Sequence, residues 1–176
     1  MAENGKLSEA NYTFFWQGLP SDFPRQHGVG FAIRNSLLTH TTLAKSGTNR
    51  ILALKLSTVT GPVHILSLYA PTLCSGDETK DRFYEDLDLT ISNIPSGENL
   101  YYLGDFNARV GADHKAWKSI STHGIGKMND NGQRLLELCC SHNLCITNTF
   151  FKCKDFHKVS WRHPRSKHWH QLDDRT

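Results

Sequence analysis

Asp105 and Asn107 stand two residues apart in the run Asn99-Leu-Tyr-Tyr-Leu-Gly-Asp-Phe-Asn-Ala-Arg-Val-Gly111. A carboxylate can take a proton from water or hold a hard cation, and a carboxamide can orient a water or a phosphate oxygen. Side chains at i and i+2 leave the same face of an extended chain. At the carboxyl end of a strand, where α/β sheets place their sites, the pair would point together into one cleft. Gly, Asp and Asn are also the common turn formers, so the same four residues, Gly104 to Asn107, read equally well as a plain turn.

Leu100 to Leu103 are consecutive apolar residues and predict a short buried strand that Gly104 breaks. Before it, Phe83, Leu87, Ile91 and Ile94 recur at helical spacing, with Asp77, Glu78 and Asp81 at the end where acidic residues favour a helix. The helix ends ahead of Pro95-Ser-Gly97. Val63-His-Ile-Leu-Ser-Leu-Tyr69 precedes it as a strand, so the order is strand, helix, strand, as in an α/β domain.

Two further strands lie upstream, Tyr12 to Trp16 and His27 to Asn35, forming a hairpin across Ser21 to Gln26. Gly28 and Gly30 read as close backbone packing, because G-x-G with no third glycine and no following helix is no nucleotide loop. Ile51 to Leu56 is a strand joined to the next through Gly61-Pro62. After Gly111 comes a loop of about twenty residues, a length often tied to function. Asn129-Asp-Asn-Gly132 then opens a helix with Leu135, Leu138, Cys139 and His142 on one face. Cys145 to Phe151, Val159 to Trp161 and His168 to Asp173 read as strands.

At 176 residues, with 38% hydrophobic and 21% charged, the chain fits one globular domain and is neither disordered nor collagen-like. No apolar run reaches the roughly 20 residues that span a bilayer, and Met1 to Lys6 has no signal-peptide core. The expectation is an intracellular protein without a membrane partner. Five cysteines without a C-x-x-C pair suggest free thiols, and a zinc site from Cys145, Cys153, His157 and His163 fits no common spacing. Net charge is +3, but residues 152–176 carry seven Lys/Arg against three Asp, and four of the ten histidines. Such a segment could meet nucleic-acid phosphates or could be a solvated face.

Gly104-Asp-Phe-Asn-Ala-Arg-Val-Gly111 resembles the signature of the endonuclease/exonuclease/phosphatase superfamily, and more narrowly its LINE-type retrotransposon endonucleases. Gly28-Val-Gly-Phe-Ala-Ile33, Tyr69-Ala-Pro71, Asn131-Gly-Gln-Arg-Leu-Leu136, Leu144 to Phe151, Ser160-Trp-Arg-His-Pro164 and Gln171-Leu-Asp173 are similar to the same endonucleases in the same order. The resemblance implies a four-layer αββα sandwich of two mixed β-sheets with flanking helices, incomplete at both termini. It also implies a domain over 12–176 behind a disordered segment over 1–11.

The implied reaction is metal-assisted hydrolysis of a phosphodiester, with Mg²⁺ or Mn²⁺ as cofactor and nucleic acid as partner. By resemblance Asp105 is the general base and a cation ligand, Asn107 orients water and phosphate, Tyr69 supports the phosphate, and Asp173 holds a histidine in its tautomer. The family's metal-binding Glu on an early strand and its terminal Ser-Asp-His have no match here. Glu3 and Glu9 lie in a polar stretch, and His168 and His170 come before Asp173. Two function classes therefore stay open: a weakly active or inactive hydrolase, and a non-catalytic remnant that binds protein or nucleic acid.

Overall fold

The computed structural model describes residues 4–20, 22–23, 27–44, 47–154, 161–162, 169–170 and 173–175, the last three stretches by backbone only. The chain divides into two compact units, Met1–Tyr69 with Ser92–Tyr102, and Ala70–Ile91 with Leu103–Thr176.

The first unit contains an antiparallel meander of β1 (Asn4–Ser8), β2 (Tyr12–Gly18) and β3 (Gly28–Arg34). Pairing of Thr13 with Ile33 and Gln17 with Val29 puts these residues on one face, where Val29 and Ile33 are buried. On the other face Trp16 lies opposite Gly30, where a Cβ would come within 2.6 Å of the Phe15 carbonyl. Close packing is thus the reason for this glycine. β1 falls in a stretch whose polar sequence carries no strand signal. It forms because the free edge of β2 offers a complete ladder, with Leu7 opposite Phe14 and Gly5 opposite Trp16.

A second sheet runs β7-β6-β5-β4 in this unit, from β4 (Thr41–Leu43), β5 (Ile51–Thr58), β6 (Gly61–Tyr69) and residues 99–102 of β7 (Asn99–Asp105). β3 packs on β5 and β6, and the β5–β6 pair is buried on both faces, with Leu52 and Leu54 on one and Leu66 and Leu68, opposite Ala53 and Ile51, on the other. The β5–β6 hairpin turns at Val59-Thr60, one step earlier than Gly61-Pro62. Thr58 pairs with Gly61, whose φ of +120° suits only glycine. The 3-10 turn Asn35–His40 and β4 carry no clear periodicity and were not legible in the sequence.

Glu98, just ahead of β7, accepts from His64 Nε2 at 2.5 Å and from Lys55 Nζ at 3.1 Å. The hydrogen bond from His64, then that from Lys55, holds its carboxyl below the ordinary 4.5. A lowered folded-state pKa contributes stability that is present above the unfolded value and lost as pH falls through the folded one. Glu98→Gln is therefore expected to lower Tm at pH 6 and to lower it less at pH 3, measured by thermal melts at both pH values. An equal loss at both would mean that packing, not charge, sets the effect.

In the second unit α1 (Asp77–Ser92) buries Phe83, Leu87 and Ile91, a stripe at four-residue spacing. Each such side chain contributes on the order of 1.5–3 kcal/mol when fully buried. α2 (Asp130–Ser141) buries Leu135, Leu136, Leu138 and Cys139. Its carboxyl end closes with Asn143 at φ +55°, Leu144 N–H donating to the Cys139 carbonyl at 2.8 Å. That is the usual left-handed helix stop, with Asn in the place glycine commonly holds. The five cysteines are free thiols.

β7 connects to β6 through α1, the helical crossover that a parallel pair needs, so this sheet is mixed. Residues 103–105 of β7 pair with β10 (Asp173–Arg175) in the second unit, while β8 (Trp161–Arg162) and β9 (Trp169–His170) form a two-stranded ribbon. The class is the α/β sandwich that the sequence implies.

Three local expectations are corrected. β7 is buried on one side only: Tyr102 is fully buried, while Tyr101 and Leu103 are exposed. Gly104 does not break it, because its backbone stays in register with Asp174 and the strand runs on to Asp105. Cys145 to Phe151 is not a strand but an irregular segment with a 3-10 turn at Thr147–Thr149. Polar residues there satisfy the backbone locally: Thr149 Oγ1 donates to the Ile146 carbonyl at 2.7 Å and accepts from Ser121 N–H at 2.9 Å. The motif residues Ser160, His163, Pro164, Gln171 and Leu172, and the imagined zinc ligands His157 and His163, lie outside the described residues.

Candidate active site

Asp105 ends β7 and Phe106 follows with no exposed surface, so the chain is anchored between two half-buried polar residues. Asn107 N–H donates to Asp105 Oδ1 at 2.8 Å, an Asx turn. The turn expected of these residues is present and begins at Asp105, so Asn107 does not continue the extended strand that the spacing alone suggests. Asn107 takes φ +48°, a left-handed conformation that asparagine tolerates better than most residues. Its Nδ2 donates to the Ala70 carbonyl at 3.0 Å, and Ala70 N–H donates to the Asp105 carbonyl at 2.9 Å. Among the described residues the Asn107 Oδ1 has no protein partner, so this half-buried amide can still accept from a ligand or a water.

The turn is held from below by α2. Asn129 caps the helix, its Oδ1 accepting from Gly132 N–H at 2.7 Å and from Arg109 N–H at 3.0 Å. Asn129 N–H returns a bond to the Arg109 carbonyl at 3.0 Å. A Cβ on Gly132 would collide with that same carbonyl. Backbone cannot yield as a flexible side chain can, so Gly132→Ala should destabilise the chain by about 1–3 kcal/mol. Urea unfolding is the check, and a loss below ~0.5 kcal/mol would mean the helix start shifts freely.

The long connection 106–129 has no strand or helix and is fastened by backbone. Ile146 N–H donates to the Ser119 carbonyl at 2.7 Å, and His123 N–H to that of Thr149 at 3.0 Å. Ser119 and Ile120 are buried, so the loop lies on the body of its unit.

Of the other expected residues, Asp173 is the backbone partner of Asp105 in the β10–β7 ladder. Tyr69 is the last residue of β6 in the first unit. Arg50 Nη1 donates to the Tyr69 carbonyl at 3.1 Å, and its guanidinium sits 5.7 Å from the Tyr69 ring centre. His27 Nδ1 accepts from Arg50 Nη2 at 3.3 Å. Burial, then the Arg50 charge, holds the imidazole below its usual 6.5, so it is neutral at pH 7 and accepts as this contact requires. Sequence reasoning missed Arg50 and His27, whose joining with Tyr69 depends on strand pairing across 19 and 23 residues.

Among the described residues no group of three or more His, Cys, Asp or Glu comes together as a metal site. The turn itself offers one carboxylate, that of Asp105. These residues do not by themselves make a cation site. Among them, no helix is long and apolar enough to cross a membrane.

No family model matches the chain. In sequence it is similar to craniofacial development protein 2 of Bos taurus, 26% identical over 169 residues, which is 96% of this chain and 28% of that protein. The protein of the same name from Tragulus javanicus is 25% identical over 169 residues, covering 96% and 29%. The chain thus spans under a third of the length of the curated relatives it matches. In structure it is similar to the endonuclease domain of TRAS1, a telomere-specific non-LTR retrotransposon, with TM-score 0.61 and 14% identity over 92% of this chain and 64% of that one. It is similar also to the AP endonuclease LMAP from Leishmania major, with TM-score 0.63 and 15% identity over 94% and 61%. Sheets, crossover helix and these likenesses agree on the fold: it is like that of the TRAS1 endonuclease domain and of the AP endonuclease LMAP.

Proposed function

We propose that this chain is a phosphodiester hydrolase domain of the LINE-type endonuclease branch, related to craniofacial development protein 2, acting on nucleic acid and slow by itself. The observation that supports this reading best is the Asp105–Asn107 Asx turn at the end of β7, with its left-handed asparagine. Asp105 accepts a proton from the attacking water. Asn107, fixed at Nδ2 by Ala70, keeps Oδ1 for that water. Tyr69 donates its phenol hydrogen to a phosphate oxygen. Asp173, opposite Asp105 in the ladder, is the second carboxyl assigned to the site. Mg²⁺ or Mn²⁺ is the cofactor that the resemblance implies, and Asp105 is the ligand we assign to it. With one assigned carboxylate such a cation would be held weakly, and a low rate is the expected consequence.

The test is cleavage of duplex DNA, intact or abasic, by the full 176-residue chain with Mg²⁺, with Mn²⁺ and with EDTA. Slow cleavage that EDTA abolishes is expected. DNA binding with no cleavage under any metal would favour the second reading, a non-catalytic remnant that binds protein or nucleic acid.

A further inference from the structure

We infer that Asn131 is a positioning residue that holds Asn107 in its left-handed conformation. Asn131 is 1% exposed and lies on the face of α2 that carries Leu135 and Leu138, where an apolar residue would be usual. Its Nδ2 donates to the Asn107 carbonyl at 3.2 Å and to the Pro71 carbonyl at 2.9 Å. Those two carbonyls belong to the segments on either side of the site turn. Asn107 reaches Ala70 with its own side chain, and Asn131 reaches Pro71 and Asn107 together. One buried carboxamide therefore closes a ring of hydrogen bonds around the turn. Asn129 Nδ2 adds a longer contact to the Asn107 carbonyl at 3.5 Å.

Asn131 itself is rigid. Its backbone carbonyl accepts from Tyr84 Oη of α1 at 3.1 Å. Its Oδ1 is buried with no partner among the described residues. An unsatisfied buried acceptor is costly, and leucine at the same place would avoid it. Retaining the amide makes sense for its donor hydrogens, both of which are used. A left-handed asparagine is uphill of its right-handed conformation, so a turn without this tie would sample other geometries.

Asn131→Leu keeps the shape and removes the donor, and nuclear magnetic resonance reads the result residue by residue. The expected outcome is faster hydrogen exchange at Asn107 N–H, by about tenfold, the equivalent of one neutral hydrogen bond. Leu144 N–H, at the far end of α2, should be unchanged. Unchanged protection at Asn107 would overturn the inference, since a merely structural Asn131 is replaced by Leu without effect there. If Asn131→Leu does not fold, the unsubstituted chain decides: the Asn131 side-chain amide should exchange far more slowly than that of exposed Gln133, and equal rates overturn the inference. The catalytic consequence rests on the hydrolase reading above. In a chain that cleaves DNA, Asn131→Leu should lower kcat by about 10–100-fold with KM nearly unchanged, as for a misplaced reacting group. An unchanged kcat would count against it. A chain that does not cleave sinks the hydrolase reading alone, because the exchange measurement still stands.

Discussion

Asp105→Asn is expected to lower metal-dependent DNA cleavage by about 10²–10⁴-fold, the usual contribution of a general base. The substitution is close to isosteric. Asparagine at 105 still offers an Oδ1 to the Asn107 N–H, now 2.8 Å from Asp105 Oδ1, so the Asx turn survives. The Ala70 bond to the residue 105 carbonyl is backbone and is untouched. What disappears is the negative charge, and with it the proton acceptor and cation ligand that we propose Asp105 to be. The rate should therefore fall while the turn is kept. A rate within threefold of the parent, at equal folded fraction, would show that another group takes the proton.

Phe106→Ala should destabilise the fold by about 3–5 kcal/mol, the range for a fully buried phenylalanine. Phe106 has no exposed surface and stands between the two half-buried site residues. Its complete burial ties the chain between Asp105 and Asn107 to the core of its unit. Buried Ala108 and Val110 continue the same alternation along the loop. Tyr101→Ala, at a position 50% exposed on the same strand, provides the comparison and should cost under ~1 kcal/mol. Equal losses from the two in denaturant unfolding would mean that Phe106 is not an anchor.

Much of the fold was legible because it rests on short-range pattern. The hairpin of β2 and β3, the β5–β6 pair, both helices and the Asn129 cap all follow from period, turn residues or capping chemistry within a few residues. The misses share another cause. β1 exists because β2 has an edge to fill, which the polar sequence of residues 4–8 does not encode. Thr147–Thr149 turns because its hydroxyls satisfy nearby backbone, overriding the β-prone residues around it. The exposed side of β7 could not be told from its buried side by apolar residues alone, since Tyr101 and Leu103 are as apolar as their neighbours.

For the candidate site, Asp105 and Asn107 stand out by their spacing, which is local information, but the turn that carries Asn107 out of β7 is not encoded by that spacing. Arg50 with His27 at Tyr69 was not, since those contacts cross strands. Asn131 lay between: a helical wheel places it on the face of Leu135 and Leu138. A polar residue on an apolar face is the one signal that the sequence offers, and Asn129-Asp-Asn-Gly132 by itself signals no more than a helix start.

The central claim is that the Asp105–Asn107 turn is where a nucleic-acid phosphodiester is received. The most direct measurement is chemical-shift mapping of the isotope-labelled chain as a duplex with non-hydrolysable backbone linkages is added in the presence of Mg²⁺. The backbone amides of Asp105 and Asn107, together with the Asn107 side-chain amide, should shift first and saturate with one common affinity. Saturating shifts elsewhere on the chain, with these signals unmoved, would contradict the account.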